Sequence, residues 1–526
     1  MREVRGEATL ASFCRWTKIA KSGRRGVPPR PTAELALRQK MLYRLMRALL
    51  RSSASTTSSE TEVHLVSWAA VCMCSATCVV YIVQPLRDAQ ALVFGKQHLP
   101  TLILLATVLS ALTNPLVGWL FGDRKGRGGG KGGTTPALVT FYRFVGACLM
   151  GFYFARSAAS AAGGGGGADA GAGGAAGDGD TPLTRAVAAV FFLFGSVSNI
   201  LLMSLSWGHC SEVFDAEQAM RLFGVVAAAC TAGQFVGSSA VVGAVHLAGG
   251  RDAPSFVLAA VLLELCAFAA KRMKHVAQCA AAEEQKEGLP ASEVAALKPP
   301  SSMESGANAA ATGGAAAASG WRKHLRGAEL IARSPYLLAI FSYTGLYGGT
   351  GTLIYMEKLA LMQSALGGGG ARASFSAQLN LLVAVGTLTI QLIFSAKLVK
   401  WLGVRRTLLL LPLTTLVAAI GMARSAGVSL AFVAGIETLR KIANYAVTKP
   451  IREALFSVVT QDERYQCKSF IDTFSNRVGS SAAATLFALH STAPLLYRGT
   501  FLGATIGWAL TCSTLQREHA KRAEMQ

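Results

Sequence analysis

Twelve runs of about 20 mostly apolar residues constrain this chain more than any other feature it has. A run of that length crosses the hydrocarbon core of a bilayer as a helix. Lipid offers the backbone no hydrogen-bond partner, so a spanning segment must satisfy its own N–H and C=O groups. The runs lie near 65–83, 100–121, 136–157, 183–206, 221–247 and 253–271, then 336–356, 376–396, 405–423, 428–448, 469–489 and 494–513. Only 15% of the 526 residues are charged and 52% are hydrophobic, where a soluble protein carries about 25% charged residues. The reading is an all-α integral membrane protein.

Between the apolar runs the composition changes character. Residues 1–62 hold thirteen Lys/Arg and five Glu with many Ser/Thr. They read either as an organellar transit peptide or as a cytosolic tail, with 35–51 as a basic surface helix. Residues 63–271 form the first six-span bundle, and its Gly/Ala-rich stretch 158–181 reads as a disordered loop. A flexible linker is expected over 272–334, a second six-span bundle over 335–513 and a basic tail over 514–526. The net charge of +22 sits mainly in termini and even-numbered loops. That places both termini on the cytoplasmic or matrix-equivalent side and makes nucleic acid an unsuitable partner for the excess charge.

Six spans, a linker and six more spans resemble the layout of the major facilitator superfamily, whose two six-helix halves flank a midplane site. Asp123-Arg124-Lys125-Gly126-Arg127 after span two is similar to that family's D-R-x-G-R loop. Lys400 to Arg406 after span eight repeats the frame without the acid, with Arg405 and Arg406 in the basic positions. A tight Gly turn with basic residues there would clamp neighbouring helices. Span seven carries Gly345, Gly348, Gly349 and Gly351, which suit either a broken, cavity-lining helix or close helix packing.

Enzyme chemistry finds little support. The loop GRGGGKGG at 126–133 lacks the first Gly and the Ser/Thr of a phosphate-binding loop. There is no G-x-S-x-G, H-E-x-x-H or paired CxxC motif. His209, Glu212, Asp215 and Glu217 cluster before span five, where Asp215 and Gln218 fit a capping box better than a metal site. Cys72, Cys74 and Cys78 spread over different faces of one helix and read as packing residues. No metal or redox cofactor is expected.

Charges inside the spans carry the functional reading, because each costs about 2.5–3.5 kcal/mol at the bilayer centre. Arg87 and Asp88 follow Pro85 at the end of span one, where a proline ends or kinks a helix. Span three has Arg143 and span six Glu264. Span ten has Glu437, Arg440 and Lys441, followed by Lys449, Arg452 and Glu453. Span eleven has Lys468, Asp472 and Arg477. Basic groups outnumber acids, which favours an anionic substrate, and Arg suits phosphate through its bidentate fork. Lys449 and Lys468 also suit helix anchoring at the membrane surface.

Four blocks resemble the bacterial and plastidic ATP/ADP antiporter family and its relatives. QPLRDAQALVFGKQHLP (84–100) is similar to that family's R-x-x-[KR]-D segment, and NPLVGWLF (114–121) is a second block. LSWGHCSEVFDAEQAMRLFGVVAA (205–228) is similar to its F-W-x-x-x-x-[DE]-x-x-x-x-E-x-x-[KR]-[LF]-[FY] stretch. PIRE (450–453) with KSFIDTFSNR (468–477) matches P-[TA]-[KR]-E and K-x-x-[IV]-D-x-x-x-x-R. The resemblance implies a monomeric alternating-access carrier exchanging ATP, ADP or a related phosphate compound across the bilayer. The substrate-binding residues would be Arg87, Asp88, Arg440, Arg452, Glu453, Asp472 and Arg477, with Glu437, Lys449 and Lys468 supporting or gating. The family's basic site positions fall on Arg87 and Arg452, each Arg where the exchangers usually have Lys. The acid that the family carries before a GSV-like turn is absent from Phe191 to Val197. The implied membrane is a plastid or other organelle envelope, otherwise the plasma membrane or an endomembrane. A carrier for a non-nucleotide solute, proton-coupled through Asp88, Glu437 or Asp472, and a non-transporting scaffold both stay open.

Overall fold

In the computed structural model every described regular element is a helix, and no described residue lies in a strand. The structure describes residues 60–122, 135–162, 182–214, 216–286, 328–393, 395–424, 428–459, 467 and 471–524. The basic segment 1–59, most of the Gly/Ala loop and linker residues 287–327 lie outside them.

The first six long helices are α1 (Glu60–Phe94), α2 (Leu99–Gly122), α3 (Thr135–Ala162), α4 (Pro182–Val213), α5 (Ala216–Leu247) and α6 (Ala253–Lys286). They are followed by α7 (Pro335–Ala365), α8 (Gly369–Ile393), α9 (Ser395–Arg424), α10 (Leu430–Ala443), α11 (Asn476–Ala488) and α12 (Pro494–Glu524). Local chemistry sets several starts. Ser334 accepts the Leu337 N–H at 3.3 Å with Pro335 in the first turn of α7, and Ser429 caps α10 through Phe432. Both leave fewer orphan donors at the helix start.

Eight described helices, α1 and α3 to α9, are long and apolar enough to cross a membrane. α2 contributes a shorter apolar stretch, Leu99–Leu112. α10 and α11 fall short of that length because each abuts a wide π-helical turn, Asn444–Thr448 after α10 and Ile471–Ser475 before α11. The chain continues from the first of these turns as a short helix, Lys449–Ala454.

The helix bounds extend past the apolar runs. Of the two alternatives at Pro85, a kink or an end, the end does not occur: α1 runs on to Phe94. The missing N–H releases the Tyr81 carbonyl, yet Pro85 and Leu86 are buried among neighbouring helices that hold the path. Likewise α6 continues to Lys286, and α12 to Glu524, into stretches read as linker and tail.

α1 packs along α4, α5 and α6, and α3 along α6. α7 packs along α11 and α12, and α9 along α12. Contacts of α5 and α1 with α8, and of α2 with α11, join the two sets. Gly345, Gly348 and Gly349 of α7 serve that packing, and the helix is unbroken. A Cβ on Gly349 would lie 2.9 Å from the Gly479 carbonyl, and one on Gly348 would collide with Asn476. α7 and α11 therefore meet backbone to backbone. At the end where α1 and α7 finish, Leu92, Leu102 and Phe192 join Leu353, Met362, Phe487 and Tyr497 in one apolar cluster.

Candidate functional site

The site is built where α1, α7 and α10 approach one another. Because α1 continues through Pro85, Arg87 and Asp88 lie inside a helix rather than in a loop. Asp88 is nearly sealed, with 3% of its side chain exposed. Arg87 reaches it with Nη2 at 2.7 Å and Nε at 3.1 Å. Tyr355 of α7 donates its hydroxyl to the same Asp88 oxygen at 2.6 Å and accepts from Arg87 Nη2 at 3.3 Å. These three groups form a closed hydrogen-bonded triangle across α1 and α7. The Phe192 ring of α4 lies 5.4 Å from the Arg87 guanidinium, a cation–π distance. Near the position where the resembled family has an acid, this chain presents an aromatic face, and Arg87 finds its counter-charge in Asp88.

One turn along α7, Lys358 extends the network. Its Nζ lies 5.1 Å from the centre of the Tyr355 ring and 2.9 Å from Glu437 Oε2 on α10. Glu437 is shared: its Oε1 holds Lys441 at 2.8 Å, one turn on along α10. Lys358 and Glu437 expose 4% and 5% of their side chains. The order Arg87, Asp88, Tyr355, Lys358, Glu437, Lys441 thus crosses from α1 through α7 to α10 in one continuous polar line. Each buried carboxylate is held by a cation, as burial of a charge requires.

Arg440 points elsewhere. It is buried, donates to the Tyr347 carbonyl and to Thr350 Oγ1, and stacks 4.7 Å from the Tyr347 ring and 5.9 Å from Trp508. Gly351 makes room for it, since a Cβ there would meet the guanidinium at 2.5 Å. The π-helical turn after Ala443 adds a residue to the helical ladder, and such turns gather at functional sites. Beyond it Arg452 lies 5.8 Å from the same Tyr347 ring. Tyr347 is therefore an aromatic plate shared by two arginines.

The remaining expected site residues divide. Arg477 is half-buried and donates to the Thr107 carbonyl of α2 at 3.3 Å, tying α11 to α2. Lys449 and Arg406 are exposed. Asp123, Arg124, Arg127 and Lys468 lie outside the described residues, as do the side chains of Arg405, Glu453 and Asp472. Arg143 and Glu264 stand apart on an exposed face. His209 is buried against α6, its Nε2 3.3 Å from the Ala270 carbonyl, and Asp215 lies outside the described residues. Cys72 and Cys266 each turn toward the other's backbone carbonyl, while Cys78 turns to Gly233 of α5. Among the described residues, no group of three or more His, Cys, Asp or Glu could hold a metal ion.

Sequence reasoning missed Lys358 and the tyrosines. Lys358 sits just past the apolar run 336–356, outside the predicted spans. The signal for it was the absence of any Gly or Pro between Gly351 and Leu366, so nothing stops the helix before it.

In line with this architecture, the chain is similar in fold to three solved membrane transporters. One is a bacterial homologue of the iron transporter ferroportin in an inward-facing state, with TM-score 0.56 and 13% identity over 88% of this chain and 99% of that one. The second is a POT family transporter in complex with 5-aminolevulinic acid, with TM-score 0.52 and 11% identity over 87% and 96%. The third is a bacterial metal transporter, with TM-score 0.52 and 12% identity over 88% and 100%. No family model matches the sequence, and no curated protein does. The fold is that of multi-pass membrane transporters.

Proposed function

We propose that this protein is an alternating-access carrier for an anionic organic phosphate, with ATP and ADP as the first candidates. The observation that carries this reading is the charge of the described cluster. Among the described side chains, Arg87, Lys358 and Lys441 share the polar line with two carboxylates, Asp88 and Glu437, and Arg440 and Arg452 add two more cations beside Tyr347. An anion arriving at this cluster would offset the excess and compete with Glu437 for its lysines. Arg87 and Arg452 supply forked donors, and Tyr347 and Tyr355 supply aromatic faces on which a planar ring can stack. The four sequence blocks favour the nucleotide class, and two of them hold Arg87 and Arg452.

Twelve spans in two six-helix halves suit this mechanism. The apolar cluster at one end would part, and the halves would rock about the polar line. A plastid or other organelle envelope is the first candidate membrane, with the plasma membrane or an endomembrane as the alternative.

Uptake of labelled ATP, ADP and inorganic phosphate into proteoliposomes, with and without internal counter-substrate, tests the reading. Exchange-dependent uptake of one of them is expected, with Arg87→Ala and Lys441→Ala each slowing it by about tenfold or more. Absence of uptake for all three overturns the phosphate class, and wild-type rates in both variants overturn the site. A second reading rests on Asp88, whose carboxylate links α1 to α7 through Tyr355. A proton-coupled carrier of another solute would use that link, and uptake driven by an imposed pH gradient alone would favour it.

A further inference from the structure

Among the described charges within the apolar runs, Arg143 and Glu264 lie on an exposed face outside the buried polar line. Arg143 of α3 and Glu264 of α6 pair with each other, Nε to Oε1 at 3.2 Å and Nη2 to Oε2 at 3.3 Å. Their side chains are 56% and 57% exposed. α3 and α6 lie along one another. From Thr135 to Arg143, α3 rises ~12 Å, and from Ala253 to Glu264, α6 rises ~16 Å, at ~1.5 Å per residue. The two helices run in opposite directions, so the pair sits near mid-depth of a hydrocarbon core ~30 Å thick. Around it the exposed face is apolar: Phe144, Val261 and Leu265 are all open. The spanning ion pairs Arg87–Asp88 and Lys358–Glu437 are, by contrast, turned inward.

Hydrocarbon provides no polar partner, and each charge there costs about 2.5–3.5 kcal/mol. The internal pairing offsets part of that cost and leaves more than half of each side chain uncovered. A second copy of the chain would cover it. A two-fold axis along the membrane normal sets the same patch against itself. This patch carries one cation and one anion side by side, so it is complementary to itself in charge. Arg143 of each copy would face Glu264 of the other, converting two exposed pairs into one covered group of four. The ridge beside the pair admits a close neighbour, because Ala147 and Gly151 are small and exposed and nothing lies within 4 Å of a Cβ at Gly151. Small residues let spanning helices approach closely.

We infer that the α3/α6 face is a homodimer interface in the membrane, centred on Arg143 and Glu264. This departs from the single-copy expectation. It rests on the membrane-spanning fold and not on the identity of the solute.

The test counts copies by single-molecule photobleaching of the full chain, fluorescently tagged, in dilute liposomes. Wild type should bleach in two steps. Arg143→Glu and Glu264→Arg, each alone, should bleach mainly in one step, with the dimer fraction reduced about tenfold. Mixed in two colours, the two variants should co-localise, because an all-acidic patch then meets an all-basic one. Ala147→Trp leaves the charges intact and should also split the dimer, and it carries the test if a charge variant fails to fold. One-step bleaching by wild type overturns the inference. So does two-step bleaching by every variant, or failure of the two charge variants to co-localise.

Discussion

Glu437→Ala should be the most damaging single change in the polar line. It removes one carboxylate and strands two ammonium groups. Lys358 is almost fully buried with its Nζ 2.9 Å from Glu437, and breaking such a pair costs about 3–5 kcal/mol. Lys441 is more open, with 26% of its side chain exposed, and its one-turn pairing adds only about 0.5 kcal/mol. The sum is about 3.5–5.5 kcal/mol, a large share of a typical net stability of about 5–15 kcal/mol. The loss should be mostly reversible by removing the stranded charge: Lys358→Met with Glu437→Gln should recover all but about 1–2 kcal/mol. Cys72, Cys210 and Cys266 are free and buried, so a thiol-reactive dye reports unfolding of detergent-solubilised protein on heating. The single variant should unfold on the order of 5 °C or more below wild type, with the double variant close to wild type. A single variant within about 1 °C of wild type on that scale, or a double variant no better than the single, would show that Lys358 and Glu437 do not form the pair on which the polar line depends.

Three more substitutions probe neighbouring contacts. Tyr355→Phe deletes the 2.6 Å donor to the sealed Asp88 and should cost about 1–3 kcal/mol, read by the same dye assay; an unchanged transition would mean that Asp88 does not rely on that hydroxyl. Gly351→Ala places a methyl where the Arg440 guanidinium lies and should cost about 1–3 kcal/mol by overpacking, whereas a neutral result would mean that Arg440 has room to move aside. Arg156→Ala removes the two bonds, 2.7 and 2.5 Å, that hold the buried Asp252 carboxylate. It should cost about 3–5 kcal/mol, with Asp252→Asn in the same chain recovering much of it; equal melting of the single and double variants would refute the pairing.

Much of the architecture was legible from composition. The apolar runs 65–83, 183–206 and 253–271 became α1, α4 and α6 because a backbone in lipid must close its own hydrogen bonds. The helix ends were less legible. Pro85 reads as a kink or a stop, and the helix runs on through it, since packing around α1 outweighs the lost hydrogen bond. Lys358 lies just past the apolar run 336–356 and outside the predicted spans, yet it is buried, since Glu437 on another helix compensates its charge. Arg87 and Asp88 were found as a pair from their adjacency and their charge, but Tyr355, 267 positions away, left no trace near them in the sequence.

Composition and run length alone determined that this chain is helical and membrane-spanning, because both depend only on what each segment does in lipid. The charges that such a chain must either use or hide could also be named. Which charges meet was decided only in the tertiary structure. Glu264 and Glu437 are both single acids in apolar runs, yet one ends on an exposed face and the other between two lysines. Helix rotation and neighbour packing separate them. The π-helical turns act further along, each adding one residue and rotating the helix downstream of it, which carries Arg452 or Arg477, by about 100°. Rotation of that kind belongs to the assembled bundle, where one helix chooses the face it shows to the next.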